Sequence, residues 1–315
     1  MMTRRRPWLE VVFWACLASA WWLFPYSLPL MTQVLIVGLF AVSLDMALGY
    51  AGILTVGHAA FFGSGAYVAG LLAAHGWGEP ISGLMIAALA CAGLGYVLSF
   101  LVVRGSDLTR LMITIAICLL LGEAAVQFTS VTGGSDGLQG VMMRPVLGKF
   151  SFDLFGRTAF VYTFVTVLAV FLLVRQMLQS PFGLTLKGIH QNPQRMRALG
   201  SPVAARLRRA YAMSAAVAGV AGALLTQTTQ FVGVDTLSFE RSAEILIVLV
   251  LGGTGRLYGG FVGALVYTVM HGWLSGLSPQ YWMLGIGLLL IAVSLAGAGG
   301  ILGLSERLMS WGRRS

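Results

Sequence analysis

QSPFGLTLKGIHQNPQRMRALGSPVAARLRR, residues 179–209, carries six Lys or Arg and no Asp or Glu between two long apolar runs. In a membrane chain such a loop belongs on the cytoplasmic side, where Lys and Arg accumulate. Leu184, Leu186, Ile189, Met196 and Leu199 recur at roughly helical spacing, and Pro181, Pro193 and Pro202 punctuate the stretch. The pattern predicts a short amphipathic helix followed by a turn, presented to a partner in the cytoplasm.

The rest of the chain supplies the membrane. Of 315 residues, 57% are hydrophobic and 10% charged, and the mean hydropathy is +0.85. That is well above a soluble domain, so the expected fold is an all-α, polytopic integral membrane protein with the lipid bilayer as its first partner. No separate soluble domain fits, and residues 1–315 read as one membrane domain with short loops. The net charge of +9 sits mainly at residues 4–6, 187–209 and 307–314, each beside an apolar run. The positive-inside rule accounts for that distribution, and nucleic acid is not an expected partner. Cys16, Cys91 and Cys118 lie inside apolar runs and read as packing residues. His58, His75, His190 and His271 show no ligand spacing, so no metal site is expected. The start resembles a signal peptide, with Ala18-Ser19-Ala20 as a cleavage site. A retained first helix is favoured, because Trp21 and Trp22 look like interfacial anchors and more spans follow.

A bilayer crossing needs about 20 apolar residues. By that measure nine stretches qualify: 8–28, 31–50, 53–74, 81–103, 109–131, 158–178, 210–231, 243–271 and 280–299. Basic clusters at both termini ask for the cytoplasm, which requires an even number, so one stretch is miscounted and the total is about eight to ten. The foremost suspect is 243–271, where GGTGRLYGG at 252–260 breaks the run. A second break is GYAGILTVGH at 49–58. Non-helical backbone at such depth survives only where protein or a water-filled cavity covers it. Broken or re-entrant segments in opposite halves of the chain fit an inverted repeat around a central pathway. Counting crossings puts the loop 132–157 outside.

No Gly-x-x-x-x-Gly-Lys-Ser/Thr cradle is present, since Phe150 follows Lys149 and Gly188 follows Lys187. Neither a Gly-x-Ser-x-Gly elbow with plausible partners nor a His-Glu-x-x-His helix occurs, so the chain reads as a non-enzyme without catalytic, cofactor or metal residues. Ionisable groups inside spans cost about 2.5–3.5 kcal/mol each and mark candidate functional positions. Asp45, His58, Glu123 and Arg256 qualify, with Gly52, Gly57, Gly252, Gly253 and Gly255 at the helix breaks. They line a polar pathway, or they satisfy one another and backbone freed at the breaks. Gly133, Gly134, Ser135 and Asp136 open the outer loop as a surface turn, or as a contact for an external partner or the pathway mouth. Gly38, Gly63, Gly65, Gly70, Gly219, Gly222 and Gly263 read as helix-packing positions.

Several segments resemble the permease subunits of ATP-driven importers for branched-chain amino acids, of the LivM type. They are LGYAG at 48–52, VGHAAFFG at 56–63, GAY at 65–67, Glu123, TGGSDGL at 132–138, SPFG at 180–183 through RALG at 197–200, AGVAGAL at 218–224 and LGGTG at 251–255. The resemblance implies a homologous second permease, two cytoplasmic ATPase subunits that hold ATP and Mg, and a periplasmic substrate-binding protein. It also implies a bacterial inner-membrane location with both termini cytoplasmic. Ser180, Pro181, Phe182, Gly183, Lys187, Ile189, Arg197, Leu199 and Gly200 would form the element that docks on an ATPase. Asp45 stands where the family more often carries Asn. Urea permeases share much of the pattern, so an ABC importer for urea, amides or other small amino acids is the second reading, and an ion-driven secondary carrier a third.

Overall fold

Apolar segments can satisfy their backbone in lipid only as helices or closed barrels, and here all regular structure among the described residues is helical, beyond two isolated β-bridges. The computed structural model describes residues 7–23, 26–153, 156–277, 282–296 and 299–303. In chain order the helices are α1 Pro7–Leu23, α2 Leu28–Asp45, α3 Ala59–Ala74, α4 Pro80–Val102, α5 Asp107–Gln127, α6 Thr129–Thr132 and α7 Arg157–Gln179. They continue with α8 Pro181–Gln191, α9 Pro193–Ala198, α10 Val203–Thr229, α11 Phe239–Gly252, α12 Gly259–Leu277 and α13 Trp282–Ala296. A π-helical turn, Met46–Tyr50, prolongs α2, and 3-10 turns span Gly134–Asp136 and Val234–Leu237. Proline opens α4, α8 and α9, where its missing N–H costs nothing. Ser106, Asn192 and Ser238 cap α5, α9 and α11 through their side-chain oxygens.

Five spans are long and apolar enough to cross a bilayer: Leu28–Tyr50, Pro80–Val102, Asp107–Gln127, Arg157–Gln179 and Val203–Thr229. The first and last are mostly buried and form the core, while α4, α5 and α7 present much of their surface outward. Small residues set the closest approach: the α-carbon of Gly65 faces the Gly219 backbone, and Gly222 faces the carbonyl of Phe62, so α3 and α10 cross almost backbone to backbone. Gly38 against Phe261, Gly63 against Leu237, Gly70 against Leu138 and Gly263 against Val248 repeat the theme, so all seven glycines read as packing positions lie at contacts.

The stretch 243–271 is two helices. Gly252 abuts Gly259 and Gly263 abuts Val248, so α11 and α12 pack as an antiparallel hairpin around the break. Ten helices of 14 residues or more, α1, α2, α3, α4, α5, α7, α10, α11, α12 and α13, make up the bundle among the described residues. At one end lie α8, the start of α1, paired through Glu10 to Arg175 of α7 at 2.6 Å, and residue Gly299 beyond α13, which accepts from Arg256 at 3.4 Å. At the other end lie the loops 128–156 and 230–238, joined where the Leu138 N–H donates to the Val232 carbonyl at 2.8 Å. The division of 243–271 turns nine apolar stretches into ten helices, an even number. Two other boundaries shift: residues 51–58 are non-helical, so the third pass has regular helix only from Ala59, and α10 starts at Val203, which places Arg206, Arg208 and Arg209 on a helix.

Candidate functional site

The cytoplasm-marked stretch folds into α8 and α9. Gly183, Leu186 and Ile189 recur on one face of α8 and are buried, with Gly183 pressed on the Leu178 carbonyl at the α7–α8 corner. On the opposite side Leu184 and Leu199 are 60% and 73% exposed, and Pro181, Lys187, Arg195 and Arg197 are exposed beside them. Met196 of α9 folds back against Gly188, and Gly200 closes the turn with a positive φ of 78°. The predicted coupling residues thus divide. Gly183 and Ile189 anchor the element to the bundle, Ser180 and Phe182 are half-buried at its edge with Arg206 5.9 Å over the Phe182 ring, and Pro181, Lys187, Arg197, Leu199 and Gly200 face outward.

Two exposed residues at the edge of α8, Lys187 and His190, reach the first helix break. Lys187 Nζ lies 5.3 Å over the Tyr50 ring, and Gly52, with φ of 69°, sits against the His190 imidazole where any Cβ would collide. Just inside, Asp45 is 1% exposed and its Oδ1 accepts the Gly255 N–H at 2.6 Å, while Oδ2 has no partner. The two glycine-rich breaks are therefore neighbours, and Asp45 satisfies backbone freed where α11 ends. Gly253, with φ of 108°, packs on Gly299.

Deeper in the bundle, the extended chain 51–58 is closely packed. Gly57 abuts the Thr114 carbonyl, and the Val56 N–H donates to Thr114 Oγ1 at 3.4 Å. His58 is fully buried, with Nε2 3.1 Å from Ser43 Oγ and 3.3 Å from Ser214 Oγ and its ring stacked on Phe40. The Ala59 N–H donates to Ser242 Oγ at 2.9 Å, so the N-termini of α3 and α11 meet inside the bundle.

Two ionisable residues fall elsewhere than the sequence suggested. Arg256 is not mid-span: it occupies the α11–α12 loop at the α8 end. Glu123 is exposed on the outer face of α5, where it accepts from Gln127 at 2.8 Å. Asp45, His58, Glu123 and Arg256 do not share one cavity.

At the opposite end, Gly134 is buried under the loop it opens, while Ser135 and Asp136 project outward. Gly133 and Gly137 take positive φ values of 79° and 75°. In the same region Asp153 caps α7 by accepting the Thr158 N–H at 2.9 Å. Desolvation acts to raise its pKa, but the N–H groups of Thr158 and Arg157 more than offset this and hold the carboxyl below its usual range.

A charged cluster at the start of α11 escaped the sequence reading. Arg241 pairs with Glu244 at 3.0 Å and with Asp235 at 3.2 Å. The first pair borders a cavity of about 280 Å³ between α2, α11 and α12. The signal was present in FERSAE at 239–244: three charges heading a helix of 14 residues, too short to cross alone. A second cavity of about 650 Å³, between α2, α7 and α10, shares Leu30, Gln33, Ile36 and Leu225 with the first.

The family model described as branched-chain amino acid transport system / permease component matches residues 26–294. The high-affinity branched-chain amino acid transport system permease protein LivM of Salmonella typhimurium is 26% identical over 299 residues, covering 88% of this chain and 70% of that protein. LivM of Escherichia coli is 27% identical over 299 residues, covering 86% and 68%. No solved structure matches the chain.

Proposed function

The chain belongs to the family of branched-chain amino acid transport system permease components, and from that premise we propose that it is the membrane-spanning subunit of an ATP-driven importer for branched-chain amino acids. It forms the solute path with a homologous second permease, takes its energy from two ATPase subunits that hold ATP and Mg, and receives solute from a periplasmic binding protein. It sits in a bacterial inner membrane, with the α8 end and both termini toward the cytoplasm, as the six basic residues of 179–209 favour. Residues 1–315 act as a single permease domain.

One observation carries this reading: α8 is built as a lever. Gly183, Leu186 and Ile189 anchor it to the bundle, Lys187 and His190 at its edge reach Tyr50 and Gly52 of the first break, and Leu184 and Leu199 with Arg195 and Arg197 are offered to a partner. A push on α8 is delivered to a break clasped through Asp45 to the α11–α12 loop. Only interaction energy that differs between two states of the path can drive its opening.

The outward face gives the test. Leu184→Asp with Leu199→Asp changes side chains that touch solvent, so the chain should still insert and melt normally, while the ATPase subunits no longer co-purify and ATP-driven uptake is lost. Unchanged co-purification and uptake, or uptake by the lone chain in proteoliposomes, refutes the proposal.

A further inference from the structure

We propose that the cavity between α2, α11 and α12 is an intramembrane binding site for a small zwitterion with an apolar side chain, in chemical class an α-amino acid. The site rests on the permease reading and gives it a location within this subunit.

The charges come first. An ion pair inside an apolar bundle is costly unless its partners compensate each other, and such residues mark solute routes by default. Arg241 and Glu244 are compensated, yet they are not packed over: their side chains keep 29% and 32% of their surface, and both border the cavity. Arg241 uses one N–H for Glu244 and one for Asp235, leaving three of its five guanidinium donors for a carboxylate. Glu244 offers a carboxylate to an ammonium, and Tyr267 lines the same cavity. Of the three charges only Arg241 and Glu244 border the cavity, so one of each sign faces it. A zwitterion inserted alongside meets both signs and leaves the net charge of the cavity unchanged.

Shape and access agree. Across from the charges the wall is apolar, with Val37, Phe40, Phe62 and Val248 placed to receive an alkyl side chain. The volume of about 280 Å³ lies at the small end of ligand pockets and suits a solute of amino-acid size. Leu30 and Gln33 stand between the site and the adjacent 650 Å³ cavity, whose wall carries Thr32, Asp153, Thr228 and Gln230 at the end opposite α8. That wall gives a polar approach from the side where the proposed delivery protein docks.

The test uses the assembled importer in nanodiscs, in a background of Cys16→Ser, Cys91→Ala and Cys118→Ala. Val37→Cys and, separately, Thr268→Cys place a thiol in the cavity wall for a small methanethiosulfonate reagent. L-Leucine should slow labelling of both by about fivefold at four times its dissociation constant. Neither 4-methylpentanoate, which lacks the ammonium, nor 3-methylbutylamine, which lacks the carboxylate, should protect at the same concentration. Adding Glu244→Gln should weaken leucine protection about tenfold, the scale of one lost charge-assisted hydrogen bond. Absence of labelling, labelling indifferent to leucine, or equal protection by all three compounds overturns the site. ATPase co-purification and stimulated ATP hydrolysis, read on the same samples, separate the two ideas. If these persist without protection, the site is wrong; if protection persists without them, the importer reading is wrong.

Discussion

Two short helices, α3 and α11, both begin inside the bundle, and they meet where the Ala59 N–H donates to Ser242 Oγ. Each has the same problem, since the first N–H groups of a helix have no partner within it. The solutions differ in chemistry. Around the start of α3 every polar group is neutral and sealed in: His58, Ser43 and Ser214 are fully buried and bond one another. Around the start of α11 stand Asp235, Arg241 and Glu244, ion-paired and partly exposed beside a cavity. A helix start without carboxylates or guanidinium groups can be packed dry at modest cost, here one unpaired ring nitrogen, His58 Nδ1. A charged one keeps access to water because desolvation outweighs what pairing returns. The difference separates a region that resists deformation from a region that admits a solute, and substitutions in the two should respond accordingly.

The largest effect belongs to the dry region. Gly57 has no room for a Cβ against the Thr114 carbonyl, and the backbone on both sides is fixed. Gly57→Val should therefore destabilise by more than about 4 kcal/mol, the range of overpacked or broken cores. The readout is the yield of chain that survives extraction and its unfolding temperature in detergent. Gly122→Ala on α5 is the control, because the nearest atom to an added Cβ is 3.8 Å away. It should be neutral or stabilising by up to about 1 kcal/mol. Similar melting of the two variants would remove the contrast between a packed break and an open face.

Next comes the charged region. Arg241→Gln leaves Glu244 and Asp235 without their cation. Breaking a fully buried pair costs about 3–5 kcal/mol, and the partial exposure of these side chains reduces that to about 1–3 kcal/mol. Arg241→Gln with Glu244→Gln should recover part of the loss, because no unpaired charge remains at Glu244. A double-mutant cycle on thermal unfolding measures the coupling. Additive losses would show that the pair is not energetically linked and that its partial exposure has another origin.

Most of this architecture could be read from the sequence, because membrane helices announce themselves by apolar length, and glycine and proline by what they forbid. The basic run predicted α8, with the short helix α9 standing where a turn was expected, and the glycine pattern located both breaks. What escaped has a common cause. Apolar length is averaged along the chain, whereas burial is decided across it. Ile53 and Val56 looked like helix because their hydropathy does not distinguish a helix from a non-helical chain packed among neighbours. Glu240 and Arg241 looked like loop because they precede the apolar window 243–271, although they belong to α11, which begins inside the bundle. Arg256 looked mid-span until the hairpin divided the run. The membrane depth of each of these residues depends on partners more than 40 positions away, such as Thr114 for Val56 and Gly299 for Arg256.

The smallest effect falls between the two regions, at the clasp that joins the two glycine-rich breaks. Asp45 Oδ1 accepts the Gly255 N–H, and Oδ2 has no partner. Asp45→Ala removes the acceptor and leaves a buried N–H unpaired, a loss of about 1–3 kcal/mol. Asp45→Asn keeps an amide oxygen at the same place and removes a formal charge from a nearly fully buried position. Its oxygen turned toward Gly255 should preserve the bond, with a stability change within about 1 kcal/mol and uptake retained. The informative measurement is the difference between the two variants in the same assay. If Asn is as damaging as Ala, the charge itself is required at the clasp, and the break touched by α8 depends on ionisation as the start of α11 does, which would bring it chemically closer to α11 than to α3.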